Sequence, residues 1–246
     1  MDKYIIVAAV MLLSGVVQTT TGLPGGVISI MFLPEIVGSI VESGALNTLC
    51  ILWCTISLFI KYKKYAKIKE TIFPLIGYFV SMPLFSKLAL GVLSAYLKFL
   101  LGITLVGLSF YFIKYNGKIK IAATKKNGLI AGVVSGAFSG LFSIGGLPII
   151  AYFINAHDDK NEYMGTVQFY FIFTCAYSTI VRVFLGVITK NTLILAIPGL
   201  VGLMVGMSLG AKIIKKLNVG EMRKASYYVT GICGVWMIIV FMFKTL

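Results

Sequence analysis

The sequence predicts an all-α polytopic membrane protein made of two homologous, inverted repeats of about five apolar helical segments each. Three observations predict it. The first is composition. Of 246 residues, 59% are hydrophobic and only 12% are charged, with a mean hydropathy of +0.96. A soluble domain carries about 25% charged and about 45–50% apolar residues, and one of this length has no core large enough to hide the surplus. Soluble enzymes, disordered tails and disulfide scaffolds are excluded on that ground. The second is where the charge sits. The net charge is +14 from 22 Lys+Arg, and most of the cations fall in three clusters. These are Lys61, Lys63, Lys64, Lys67 and Lys69; Lys114, Lys118, Lys120, Lys125 and Lys126; and Lys212, Lys215, Lys216, Arg223 and Lys224. Clusters between long apolar runs read as cytoplasmic loops under the positive-inside rule. No interleaving of aromatic and basic residues suggests base stacking, so no nucleic-acid partner is expected. The third is internal repetition.

Ten apolar runs follow one another: 4–21, 25–41, 44–60, 71–88, 90–113, 127–143, 145–155, 164–186, 192–211 and 225–243. The first, behind Lys3, lacks a small-x-small cleavage site and reads as an uncleaved helix. Run 145–155 has 11 residues, about 16 Å as a helix, too short to span a bilayer and therefore a half-membrane or re-entrant element. The cysteines Cys50, Cys54, Cys175 and Cys233 lie inside apolar runs without a CxxC or a nearby histidine, and read as buried thiols.

The halves align in order. TTTGLPGGVISI at 19–30 parallels GLFSIGGLPIIA at 140–151, and Thr48 falls on Thr166, Pro74 on Pro198 and Gly102 on Gly231. The division is a first repeat over 1–113, a basic cytoplasmic linker over 114–126 and a second repeat over 127–246. An odd number of segments per repeat inverts the second against the first. With the N-terminus outside, all three basic clusters then lie inside.

Two glycine-rich breaks interrupt the apolar runs, at Gly22–Gly26 and Ser143–Pro148. Irregular backbone is tolerated within a bilayer only where protein or a water-filled cavity satisfies its amides. A helix starting after such a break aims free N–H groups and its positive dipole end at that cavity, which favours an anion. Hydroxyl and amide groups gather at the same places. The candidate substrate-binding residues are Gln18, Thr20, Thr21, Gly22, Gly25, Gly26, Asn47, Thr48, Ser139, Ser143, Gly145, Gly146, Thr166 and Gln168. Arg182 joins them as an intramembrane cation, a functional-site hypothesis by default, against the alternative that it snorkels from a helix end. Lys98 is a weaker candidate of the same kind. Gly202, Gly206 and Gly210 form a small-xxx-small ridge for packing. No acid sits at the centre of a run, and the sole histidine, His157, reads as a solvated loop residue. No catalytic set, metal site or cofactor motif is found, so no enzyme is expected.

The chain resembles the TauE/SafE sulfite-exporter-like family of membrane transporters. The family's T-G-F-G-G-G break is similar to Thr21-Gly22-Leu23-Pro24-Gly25-Gly26. Its G-L-F-G-I-G-G-G-P is similar to Gly140-Leu141-Phe142-Ser143-Ile144-Gly145-Gly146-Leu147. Its A-x-x-T-S and A-x-G-T-S helix starts resemble Ala45-Leu46-Asn47-Thr48 and Met164-Gly165-Thr166. Pro24, Met31, Ser143 and Leu147 depart from the pattern. The resemblance implies a secondary transporter in the cell membrane that moves small sulfur-containing anions such as sulfite, thiosulfate or organosulfonates, often outward, by alternating access at a midplane site. Its expected partners are the anion and the bilayer, with H+ or Na+ as a coupling ion and a homo-oligomer both compatible with this reading. A non-transporting assembly subunit and an intramembrane enzyme are the rival readings.

Overall fold

A computed structural model describes residues 3–21, 26–114, 124–157, 159–214 and 219–245. The described residues are almost wholly helical, with no strand among them. In chain order the helices are α1 (Lys3–Thr21), α2 (Gly26–Phe32), α3 (Pro34–Val37), α4 (Ile40–Tyr62), α5 (Ile68–Leu90) and α6 (Ser94–Lys114). They continue with α7 (Lys125–Phe142), α8 (Gly146–Ala156), α9 (Lys160–Phe184), α10 (Lys190–Ile214) and α11 (Val219–Thr245). Each expected run holds a helix, except that 25–41 divides into α2 and α3, because Pro34 starts a new helix and Gly38 ends it in the left-handed conformation. Ser39 caps α4 by accepting from the Glu42 N–H, Thr124 caps α7, and Asp159 caps α9. Asn47, Thr48, Thr166 and Gln168 were expected at helix starts. They lie at least a turn inside α4 and α9, because those caps start the helices earlier.

Among the described residues, five helices are long and apolar enough to cross a membrane: Lys3–Thr20, Ile40–Tyr65, Ile68–Leu90, Lys160–Phe184 and Lys190–Ile213. Their outward faces expose Leu84, Ile197, Val201 and Phe184, side chains that gain nothing in water but meet lipid tails at no cost. The molecule is a helical multi-pass membrane protein.

Four helix pairs carry most of the packing: α1 on α10, α5 on α7, α4 on α9, and α6 on α11. Glycines make the first two contacts close. A Cβ at Gly132 would overlap the Pro74 carbonyl, and one at Gly202 would overlap that of Ala8, so these helices touch backbone to backbone. The expected packing role of Gly202, Gly206 and Gly210 is what this contact provides. Successive contacts advance in the same sense along α5 and α7, from Pro74 at Gly128 to Ser86 at Gly140, so the pair is parallel. The same holds for α1 and α10. By contrast α4 and α9 are antiparallel, with Thr48 at Arg182 and Tyr62 at Gly165.

These directions fix the ends of the bundle. The described lysines that end α4, α6 and α10 and those that begin α5, α7, α9 and α11 share one end, called here the basic end. The opposite end carries Lys3, Lys87, Lys98 and Lys190, with Lys3 bonded to Asn191 and Lys98 paired to Glu35 at 2.7 Å. After Phe142 the chain turns back along its own helix. Ser135 donates to the Gly145 carbonyl, and the Tyr152 hydroxyl lies 3.2 Å from where a Cβ of Gly128 would stand.

Candidate functional site

Two helices supply the site with a polar stripe each. Ser135 and Ser139 on α7, with Ser143 just past its end, recur every four residues, and on α9 so do Tyr170, Thr174, Ser178 and Arg182. Residues four apart share a helix face, so each stripe points inward as one ladder. They meet at a cavity of about 50 Å³, several times the roughly 10–15 Å³ that one water needs. Gly26, Asn47, Thr48, Tyr78, Ser135, Ser139, Ser143, Gly145, Gly146, Tyr170, Thr174, Cys175 and Ser178 line it, with no carboxylate among the lining residues. The described edges of the two glycine breaks face each other here, since a Cβ at Gly26 would stand 3.8 Å from the Ser143 carbonyl oxygen.

Arg182 closes one side. It is 1% exposed, so it does not snorkel. It donates to the Thr48 hydroxyl at 2.8 Å, the Ser143 hydroxyl at 2.8 Å and the Ser139 carbonyl at 3.2 Å. All three partner residues line the cavity, so the guanidinium charge stands one hydrogen bond behind the cavity wall. The described ion pairs include Lys67–Glu162 and Lys98–Glu35; no described carboxylate is paired with Arg182. An uncompensated buried charge costs several kcal/mol, a cost that an anion in the cavity would relieve. The first residues of α8, Gly145 and Gly146, add the positive end of that helix.

The hydroxyls are held in place rather than free. Tyr78 and Ser139 share a hydrogen bond of 2.6 Å, Tyr170 donates to Ser135 at 3.0 Å, and Ser29 donates to Asn47 Oδ1 at 2.6 Å. Ser143 has φ 63°, the only positive φ outside glycine among the described residues. That left-handed position ordinarily takes glycine. A serine here accepts backbone strain and in exchange places its hydroxyl on Arg182.

Of the candidates from sequence, Gly26, Asn47, Thr48, Ser139, Ser143, Gly145, Gly146 and Arg182 gather at this cavity. Four do not. Thr20 donates back to the Val16 carbonyl of its own helix. Thr166 accepts from the Lys67 N–H at the basic end, where it helps to start α5. Gln18 and Gln168 are buried away from the cavity lining. Gly22 and Gly25, and the side chain of Thr21, lie outside the described residues. Lys98 serves the Glu35 pair and not the cavity, and His157 is buried beside Glu70 rather than solvated. Tyr78, Ser135, Tyr170, Thr174 and Ser178 were not anticipated. The four-residue spacing of hydroxyls on α7 and α9 was the signal that could have found all of these but Tyr78, which lies on α5.

The described residues thus make a multi-pass helical protein with a hydroxyl-lined interior cavity backed by a buried cation. The chain belongs to the sulfite exporter TauE/SafE family, whose model matches residues 7–237, nearly the whole of it. No curated protein and no solved structure matches the chain.

Proposed function

We propose that this chain is a secondary transporter, working outward, of small sulfur-containing anions such as sulfite, thiosulfate or an organosulfonate, and that the cavity beside Arg182 is its substrate site. The observation that carries this is the fully buried guanidinium with hydroxyl partners and no described carboxylate partner. Hydroxyl and guanidinium donors suit an oxyanion, whose oxygens need several hydrogen bonds at once. The residues 1–113 and 127–246 form two inverted repeats joined by the basic linker. The reciprocal packing of α1 with α10 and α5 with α7 supports this. In this reading α1–α3 and α7–α8 are broken or re-entrant hairpins, and the basic end faces the cytoplasm across the cell membrane. Rocking one repeat against the other opens the cavity to each side in turn, driven by an ion gradient.

The test is flux of sulfite, thiosulfate and a sulfonate from liposomes that hold the purified protein. Wild type should carry at least one of the three. Arg182→Gln should lower that flux by about 10- to 100-fold, the worth of one charged hydrogen-bond donor, while still inserting and eluting as the same species. Unchanged flux in Arg182→Gln overturns the site. No flux of any anion in wild type overturns the function.

A further inference from the structure

Lys98 and Glu35 stand apart from the substrate cavity. Glu35 is in the first turn of α3 and Lys98 is one turn inside α6, at the end of the bundle opposite the basic end. Their 2.7 Å ion pair is not enclosed. The side chains are 18% and 39% exposed, and both line a hollow of about 250 Å³ with Met31, Phe32, Trp236, Met237 and Val240. A part-exposed pair of this kind adds little to stability, so the fold alone gives small reason for an acid and a lysine beside a lipid-facing helix.

The hollow does not end at the pair. Met31 and Trp236 also line a second one, of about 420 Å³, which continues between α6 and α11 past Val235 and Ile232 to Tyr228 and Ser109. Each is larger than the ~150 Å³ that holds a benzene ring. The Ser109 hydroxyl is occupied by the Tyr227 carbonyl, and the rest of the second wall is aliphatic and aromatic. The helices α6 and α11 run antiparallel, with Phe99 stacked on Phe241 and Ser109 against Gly231, so the groove runs lengthwise. From Lys98 to Ser109 it covers about 17 Å of helix, close to the depth of one leaflet of a hydrocarbon core about 30 Å thick. Trp236, its ring 6.4 Å from that of Phe32, lies at the ion-pair end, and an indole favours the membrane–water boundary.

We propose that this groove binds one zwitterionic phospholipid with a primary ammonium headgroup, from the leaflet at the end opposite the basic one. Its acyl chain lies along Met31, Ile232, Val235 and Ile239, and its headgroup spans the ion pair. The Lys98 ammonium has three N–H donors; Glu35 takes one, and another meets the lipid phosphate. The Glu35 carboxylate, with about four acceptor sites, receives the lipid ammonium as well as Lys98. The pair has no net charge, so it matches a neutral headgroup. A purely anionic headgroup meets the repelling carboxylate, and a quaternary ammonium brings Glu35 no N–H donor. The site needs only a membrane-spanning chain and does not depend on what the cavity carries.

The test is native mass spectrometry of the whole protein in detergent with equal amounts of palmitoyl-oleoyl phosphatidylethanolamine, phosphatidylcholine and phosphatidylglycerol. Wild type is expected to retain one phosphatidylethanolamine at least about tenfold above either other lipid, the worth of one charged hydrogen bond. Glu35→Gln should bring phosphatidylethanolamine down to the phosphatidylcholine level. Ile232→Trp should weaken all three lipids alike by filling the space for the chain. Ile232 is 66% exposed, so its variant keeps the test decisive even where Glu35→Gln does not fold. Equal retention of the three lipids by wild type, or a preference for phosphatidylglycerol, overturns the site. So does unchanged retention in either variant. Selective retention by a chain that carries no anion in liposomes leaves the lipid site standing and overturns the proposed function instead.

Discussion

Gly44, on α4, is the point where the site tolerates no side chain. A Cβ there would overlap the Ser143 hydroxyl and stand 3.3 Å from a guanidinium nitrogen of Arg182. Gly44→Ala should therefore push the Ser143 hydroxyl off Arg182 and lower anion flux by about tenfold, the worth of one such hydrogen bond. Ser143→Gly alone should lose the same hydrogen bond. It should also be slightly more heat-stable, since glycine accepts φ 63° without strain. The double variant Gly44→Ala with Ser143→Gly should behave as Ser143→Gly alone, because the second change removes the atoms that the first one strikes. Additive losses in flux would show that Gly44 acts elsewhere. Such contacts explain which site residues the sequence revealed. Ser139, Ser143 and Arg182 stood out as polar groups in apolar runs. Thr166 was matched to Thr48 by position in the repeat, yet antiparallel packing of α4 on α9 sends the two threonines to opposite ends of that pair, one to Arg182 and one to Lys67. Alignment of repeats carries residue type across, but not which neighbour the partner helix will offer.

At the scale of elements, the glycine ridges decide how closely helices approach. Gly202, Gly206 and Gly210 were legible as a packing stripe on α10. The same spacing runs through Gly128, Gly132, Gly136 and Gly140 on α7, each against α5, and it passed unremarked beside the neighbouring serines. Both ridges bring backbones together in place of large side chains, which suits a bilayer interior where apolar surface alone gives no drive to associate. Gly132→Ala should then cost about 1–3 kcal/mol by overpacking, measured as a lower melting temperature of the solubilised protein. Gly107→Ala is the contrast. Nothing lies within 4 Å of its Cβ position on α6, and exchange of a helical glycine for alanine there should stabilise by about 0.5–1 kcal/mol. Equal effects of the two substitutions would mean that α5 and α7 are not held by this ridge. The short helices were harder to read. The 11 residues of α8 were recognisably too few to span, whereas the split of 25–41 into α2 and α3 depends on Pro34 starting a helix after Leu33, a local choice that hydrophobicity does not record.

For the whole molecule, helix direction and charge give two independent routes to one orientation. Parallel packing of α5 with α7 and of α1 with α10, and antiparallel packing of α4 with α9, place the starts and ends of the helices without reference to any charge. That placement collects the lysines that end α4, α6 and α10 and those that begin α5, α7 and α9 at one end, and leaves Lys3, Lys190 and the last residues of α11 at the other. Positive charge in short loops is retained on the cytoplasmic side, so the basic end should face the cytoplasm and both ends of the chain should face away from it. A reporter that fluoresces only in the cytoplasm, fused after Leu246, should stay dark. One active only beyond the membrane should light. Cysteine at Lys64 should react with an impermeant thiol reagent only from the cytoplasmic side, and cysteine at Thr189 only from the outside. Background labelling should come at most from the half-buried Cys175, since Cys50, Cys54 and Cys233 are buried. A cytoplasmic C-terminus would require an even number of crossings between the basic cluster at Lys61–Lys69 and residue 246. The parallel run of α5 with α7 does not permit that, so such a result would overturn the inverted-repeat arrangement and the orientation of the cavity with it.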